Sequence, residues 1–187
     1  MKRFFTLLLL AIFVTGIQAQ QKVTLRDIAQ GTYRAQGISG LKPMLDGEHY
    51  TQISSDHKRI VKYSFKTGEE VGTLFDVTTA RDCDLKSFDD YILSPDEKLI
   101  LIQTETKPIY RHSFTAVYYI YNVKNNKMEP LSNNGPQQVP LFSPDGNQIA
   151  FVRNNNIYLV KLLFGNSESQ VTKDGEYNHV LNGIPDW

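Results

Sequence analysis

Between residues 106 and 122 the sequence runs TKPIYRHSFTAVYYIYN, and its first half gathers Lys107, Arg111 and His112 around Pro108 and Tyr110. A guanidinium presents a rigid fork of N–H donors that suits carboxylates and peptide carbonyls. A hydrogen bond to such a charged group is worth about 1.5–3 kcal/mol. His112 either titrates beside a ligand or braces its loop through a hydrogen bond, and bracing is the preferred reading. On the residues alone, a solvated hairpin tip whose arginine rests on a neighbouring tyrosine fits better than a binding device, because most loop charges do nothing specific.

The other reactive side chains point to less. Cys83 is the single cysteine, so no intrachain disulfide can form. Asp82 and Asp84 flank it and disfavour a thiolate, which makes it a structural residue rather than a nucleophile. His49 and His57 are eight residues apart, with Glu48 and Asp56 alongside, and match no usual metal-ligand spacing; both are expected on turns, and no metal site is expected. His179 sits in a polar turn and carries no signal, and Gly37 and Gly40 make no phosphate loop. A serine hydrolase elbow needs Gly-x-Ser-x-Gly after a strand. The nearest string, GISGL at 37–41, has Leu41 in place of the second glycine and lies in expected coil, so no catalytic residue is assigned.

Three segments show which elements must position these groups. MLDGEHYTQI at 44–53, LSPDEKLILI at 93–102 and FSPDGNQIAF at 142–151 place aspartates at 46, 96 and 145, at spacings of 50 and 49. Ser-Pro-Asp-Gly is turn chemistry: proline presets φ, aspartate bonds the backbone ahead of it, and glycine accepts positive φ. Each turn leads into a short apolar strand, then a second strand (IVKYSF, AVYYIYNV, IYLVKL), a polar turn, and a third strand (VGTLF, MEPLS, SQVT). Three or four antiparallel strands per fifty residues define a propeller blade, and the period and strand order favour that over a β-sandwich with coincidental turns. The fold class is therefore all-β, a partial propeller of about three blades. Tyr118, Tyr119 and Tyr121 are expected to pack between blades. Only TLRDIAQG at 24–31 reads as a helix, with Thr24 as N-cap and Gly31 as terminator.

The repeat explains the basic stretch. From the repeat aspartate to the second strand there are 14 residues in the first unit, 12 in the third and 21 in the second. The middle blade thus carries an insertion of about seven to nine residues containing Tyr110, Arg111 and His112. Insertions in repeat proteins map to loops, often on the binding face.

The 187-residue chain has zero formal charge and no basic stripe, so nucleic acid is not an expected partner. Its 41% hydrophobic content supports a packed core. MKRFFTLLLLAIFVTGIQAQ has the layout of a secretory signal peptide, basic then apolar then small, with cleavage expected after Ala19. An uncleaved anchor is the alternative, but the apolar run falls short of the roughly 20 residues a span needs. An exported protein, periplasmic or secreted, is the expectation. Loss of Lys2 and Arg3 leaves 18 basic and 20 acidic residues, a net of −2.

VTLRDIAQGTYR, YILSPDEKLILI, YRHSFTAVYYIYN, SPDGNQIAFVRNNNIYL and LNGIPDW together resemble the N-terminal part of dipeptidyl peptidase IV, in the prolyl oligopeptidase class of serine peptidases. The resemblance covers nearly all of residues 23–187. It implies an eight-bladed propeller joined to an α/β-hydrolase domain, removal of dipeptides with Pro or Ala second from peptide N-termini, no cofactor, and dimers in many members. It implies a lead-in over 20–43 and blades over 44–187, with the triad and hydrolase domain outside this chain. It further implies that Arg111, with His112 beside it, binds substrate, and that an acidic pair for the substrate's amino terminus would begin just past Trp187. Three blades cannot close a ring, so further blades are expected beyond Trp187. A propeller that only binds proteins or glycans remains the alternative; it leaves the Arg111 insertion unexplained.

Overall fold

A computed structural model describes residues 22–185 apart from 36, 38 and 39, and omits the side chain of Phe164. The expected signal peptide over 1–19, the Ile38–Ser39 centre of GISGL, and Trp187 lie outside the described residues. The chain falls into two units, residues 1–39 and 40–187.

Among the described residues of the first unit a helix, α1 (Leu25–Gln30), forms where the sequence places it. The Thr24 side chain accepts from the Asp27 backbone N–H while the Asp27 carboxylate accepts from the Thr24 N–H, and Gly31 closes the helix at φ 68°. This reciprocal cap satisfies two N-terminal donors that would otherwise lack partners. Aspartate replaces the usual Glu or Gln of that motif, which is why the sequence pattern alone did not mark it.

The second unit is three four-stranded antiparallel sheets in sequence order. The first blade holds β1 (Lys42–Pro43), β2 (His49–Ile53), β3 (Arg59–Ser64) and β4 (Glu70–Asp76). Blade two holds β5 (Asp90–Leu93), β6 (Leu99–Pro108), β7 (Phe114–Asn122) and β8 (Lys127–Pro130). Blade three holds β9 (Gln138–Phe142), β10 (Gln148–Arg153), β11 (Asn156–Lys161) and β12 (Ser167–Gln170). Each blade has four strands; the one that the sequence alone left unassigned precedes the repeat turn.

The turns behave as their chemistry dictates. Ser94 and Ser143 donate to Asp96 and Asp145, and their hydroxyls accept the N–H groups of Leu99 and Gln148. In the first blade Asp46 alone does this work, accepting from the N–H groups of Glu48 and His49. A third copy of the serine–aspartate turn, Ser54 with Asp56, closes the β2–β3 hairpin.

Side chains alternate across each sheet, so the middle blade faces both neighbours. Ile100, Ile102, Tyr91 and Tyr121 pack with Ile60 and Phe75 of blade one. Leu101, Tyr118 and Ile120 pack with Ile149, Phe151 and Val160 of blade three. The three tyrosines do lie between blades, Tyr119 and Tyr121 on one side and Tyr118 on the other. Consecutive sheets packed in this way form an open, partial propeller.

Polar groups reinforce both seams. Lys42 bridges to Asp90 at 2.6 Å with its ammonium 4.0 Å from the Tyr91 ring centre, and the hydroxyls of Thr51 and Tyr91 meet at 2.6 Å. Burial pushes the Tyr91 phenol up to about 12, against the help that the Thr51 hydrogen bond gives its anion. On the other seam Arg153 donates to Glu168 at 2.5 Å and to the Ser132 hydroxyl at 2.8 Å, with its guanidinium 4.0 Å over Tyr158.

Candidate functional site

The inserted residues of blade two do not form a longer loop. They lengthen the strands: β6 has ten residues and β7 nine, against six each for β10 and β11. The connecting segment 109–113 is as short as the 54–58 turn of blade one. The insertion is therefore an arm, a two-stranded hairpin projecting past the sheet. The signal for this was present in Thr104, Thr106 and Thr115, β-branched residues suited to strands. Pro108 hid it, yet proline is tolerated where a strand has no outer neighbour. The β5–β6 ladder ends at Gln103 and the β7–β8 ladder at Tyr119; past single contacts at Thr106 and Ala116, the outer arm has two free edges among the described residues.

The arm bends at its root. Pairing steps from Thr104↔Val117 to Lys107↔Thr115, giving β6 one extra residue, and Glu105 takes φ 50°. Such a bulge kinks a ladder and re-aims the residues beyond it. Around it Gln103 donates to the Thr106 hydroxyl at 2.8 Å and accepts from the Tyr118 hydroxyl at 3.0 Å. The Thr106 N–H donates to the Asp89 carboxylate at 2.9 Å, and the Asp89 N–H to the Gln103 carbonyl at 2.8 Å. On the opposite strand, Ala116 and Gln137 exchange backbone bonds, and the Gln137 amide oxygen accepts from the Tyr118 N–H at 3.0 Å. Burial raises the Tyr118 phenol well above its ordinary range, so it remains a neutral donor.

At the tip, the N–H groups of Ile109 and Tyr110 converge on the Ser113 carbonyl at 2.8 and 3.2 Å. Tyr110 is 74% exposed and Ile109 47%. Arg111 and His112 are both exposed, side by side. Among the described residues the Arg111 guanidinium has no hydrogen bond, ion pair or aromatic face, so it does not rest on a tyrosine. His112 makes no hydrogen bond there either. The bracing expected of it is supplied by backbone bonds to Ser113 and, at the root, by side chains that sequence reasoning did not single out: Asp89, Gln103, Thr106, Tyr118 and Gln137.

The remaining candidates sit apart. His49 opens strand β2 rather than lying in a turn, and its ring bonds Asp46 at 2.7 Å, while Lys62 approaches the same carboxylate at 3.2 Å. That histidine contact above all holds the Asp46 carboxyl well below its usual range. His57 lies in the 54–58 turn with its ring 3.1 Å from the Phe88 carbonyl. Among the described residues no three His, Cys, Asp or Glu side chains gather closely enough to hold a metal. Cys83 is half-buried; burial raises its thiol first, then Asp84 and Asp76, against one lowering backbone bond, so the second anion is Asp76 and not the adjacent Asp82.

The run beyond blade three is folded back onto it. Asn182 N–H donates to the Asn155 carbonyl at 3.0 Å and Gly175 N–H to the Asn156 side chain at 2.9 Å. Gly183 adopts φ 77°, and a Cβ there would lie 2.7 Å from a Val152 methyl.

Fold and arm together define a β-propeller segment with a displayed basic tip. Residues 94–187 match the family described as "Dipeptidyl peptidase IV (DPP IV) N-terminal region", and the chain belongs to that family. Among relatives, prolyl endopeptidase FAP of Homo sapiens is 32% identical over 167 residues, 88% of this chain and 21% of that protein. A probable dipeptidyl-aminopeptidase B of Emericella nidulans is 46% identical over 99 residues, 50% of this chain and 10% of that one. The crystal structure of Porphyromonas gingivalis dipeptidyl peptidase 4 matches with a TM-score of 0.79 at 42% identity, over 91% of this chain and 24% of that chain. This chain thus spans about a fifth to a quarter of the length of the FAP and P. gingivalis proteins.

Proposed function

We propose that this chain is the N-terminal propeller segment of an exported dipeptidyl peptidase that releases Xaa-Pro and Xaa-Ala dipeptides from peptide N-termini. In this reading residues 1–19 direct export, 20–43 lead in, and 44–187 supply blades that orient and gate substrate for an α/β-hydrolase domain encoded further along the gene. The full-length protein pairs as a homodimer. Arg111 grips the backbone carbonyls of the incoming peptide, and His112 flanks it.

One observation carries the reading: an arginine with no partner among the described residues stands at the tip of a braced arm, inside the segment that matches the family. A guanidinium left uncommitted in this way loses no internal contact when it binds a ligand. The names of the relatives, all peptidases, supply the chemistry.

The test is the full-length gene product with an Ala-Pro or Gly-Pro chromogenic substrate. Arg111→Ala removes a charged hydrogen bond, and kcat/KM is expected to fall about 10- to 150-fold. Unchanged kcat/KM removes Arg111 from the site, and a full-length product without dipeptidyl peptidase activity overturns the reading as a whole.

A further inference from the structure

We propose that Asp89, Gln103 and Tyr118 are positioning residues that fix the direction of the arm and so the place of the Arg111 guanidinium; this rests on the reading of Arg111 given above. The reason is mechanical. Beyond Thr106 and Ala116 the arm has no further strand beside it among the described residues, and such a two-stranded hairpin is marginally stable in water. Its tip would sample many directions unless its root were held.

The root is held from both sides by connections between blades. Asp89 ends the link from blade one to blade two. Its carboxylate takes the Thr106 N–H at 2.9 Å, on the bulged strand, and its own N–H donates to Gln103. Gln137 ends the link from blade two to blade three and pairs with Ala116 on the other strand. Between them Gln103, 8% exposed, is fixed at both ends of its amide, by Thr106 and by the hydroxyl of Tyr118, which is 1% exposed. Thr104 completes the set, donating to the Val117 carbonyl at 3.1 Å. A bulge bends the ladder, and this network decides which way.

None of these groups reaches the tip, so each acts only through the arm. Loss of one should therefore weaken substrate capture more than turnover, and only while Arg111 is present.

The experiment is a double-mutant cycle in the full-length gene product, measured as kcat and KM on Ala-Pro-p-nitroanilide, with melting midpoints alongside. Asp89→Ala is expected to raise KM about three- to tenfold with kcat little changed, since small misplacements of a binding group are costly. Asp89→Asn keeps an acceptor for Thr106 and is expected to recover most of the loss. Tyr118→Phe, which deletes only a hydroxyl, is expected to act in the same direction. Combined with Arg111→Ala, neither substitution should cost anything further. An equal loss with and without Arg111, or a lower melting midpoint with unchanged KM in both variants, overturns the positioning role while leaving Arg111 in the site. An Arg111→Ala variant with unaltered kinetics removes the reading on which the inference stands, and the inference with it.

Discussion

Glu168→Gln is the substitution whose cost can be worked most directly from the structure. It keeps the shape of the side chain and deletes its charge. Glu168 accepts from the Arg153 guanidinium at 2.5 Å and from the Asn134 amide at 3.2 Å, and it also bonds the Ser132 hydroxyl. The two charged side chains are 9% and 17% exposed. Removing one partner of a fully buried pair costs about 3–5 kcal/mol, because the other charge is stranded. Here Ser132 and the Tyr158 ring still hold Arg153, which brings the expectation nearer the 1.5–3 kcal/mol of a charged hydrogen bond. For a chain of this size, about 2–4 °C per kcal/mol makes the fall in Tm roughly 3–12 °C. Thermal unfolding by circular dichroism measures it, and a cycle with Arg153→Met isolates the pair. The dependence on pH is a second signature. Burial pushes the Glu168 carboxyl up, but hydrogen bonds from Arg153, Ser132 and Asn134 outweigh it and leave the group below its ordinary 4.5. The stabilisation is therefore complete above that value and fades as pH falls through the lower, folded one, so parent and variant curves should converge in acid. A Tm within about 1 °C of the parent at neutral pH, well below the shift expected for a charge left stranded, or purely additive effects in the cycle, would refute the clamp.

Two further outcomes concern other sites. Gly183→Ala puts a methyl 2.7 Å from Val152 in a left-handed conformation. About 1–3 kcal/mol of local docking should be lost, read as faster proteolytic cutting within 174–185, and cutting at the parent rate would count against that close approach. Cys83 has its thiol raised by burial, then by Asp84 and Asp76. At pH 7.4 it should react with iodoacetamide far more slowly than free cysteine, and a rate equal to that of the free thiol would contradict the burial.

The blades were legible because their turns carry explicit chemistry: Ser94–Asp96 and Ser143–Asp145 make in space the bonds their residue types advertise. The strand before each turn was less visible; β1 is two residues long and one of them is proline. Arg111 and His112 were singled out from an interrupted spacing, and both are exposed at the tip of the insertion. The form of the insertion was not found, because a strand extension with a bulge and a terminal proline has the composition of a loop. Nor was its bracing, since Asp89, Gln103 and Gln137 lie 14 to 48 residues apart in sequence and meet only when two interblade links converge on one hairpin. Long-range polar contacts of that kind leave no local periodicity to read.

Strand β6 divides its side chains between two cores, Ile100 and Ile102 to one and Leu101 to the other. The middle sheet consequently owns no interior of its own, and its energy is made up of couplings to adjoining units, as in a nearest-neighbour lattice. Any slackening of the first or third blade should then register at the displayed arginine, tens of residues away along the chain, as a change of aim.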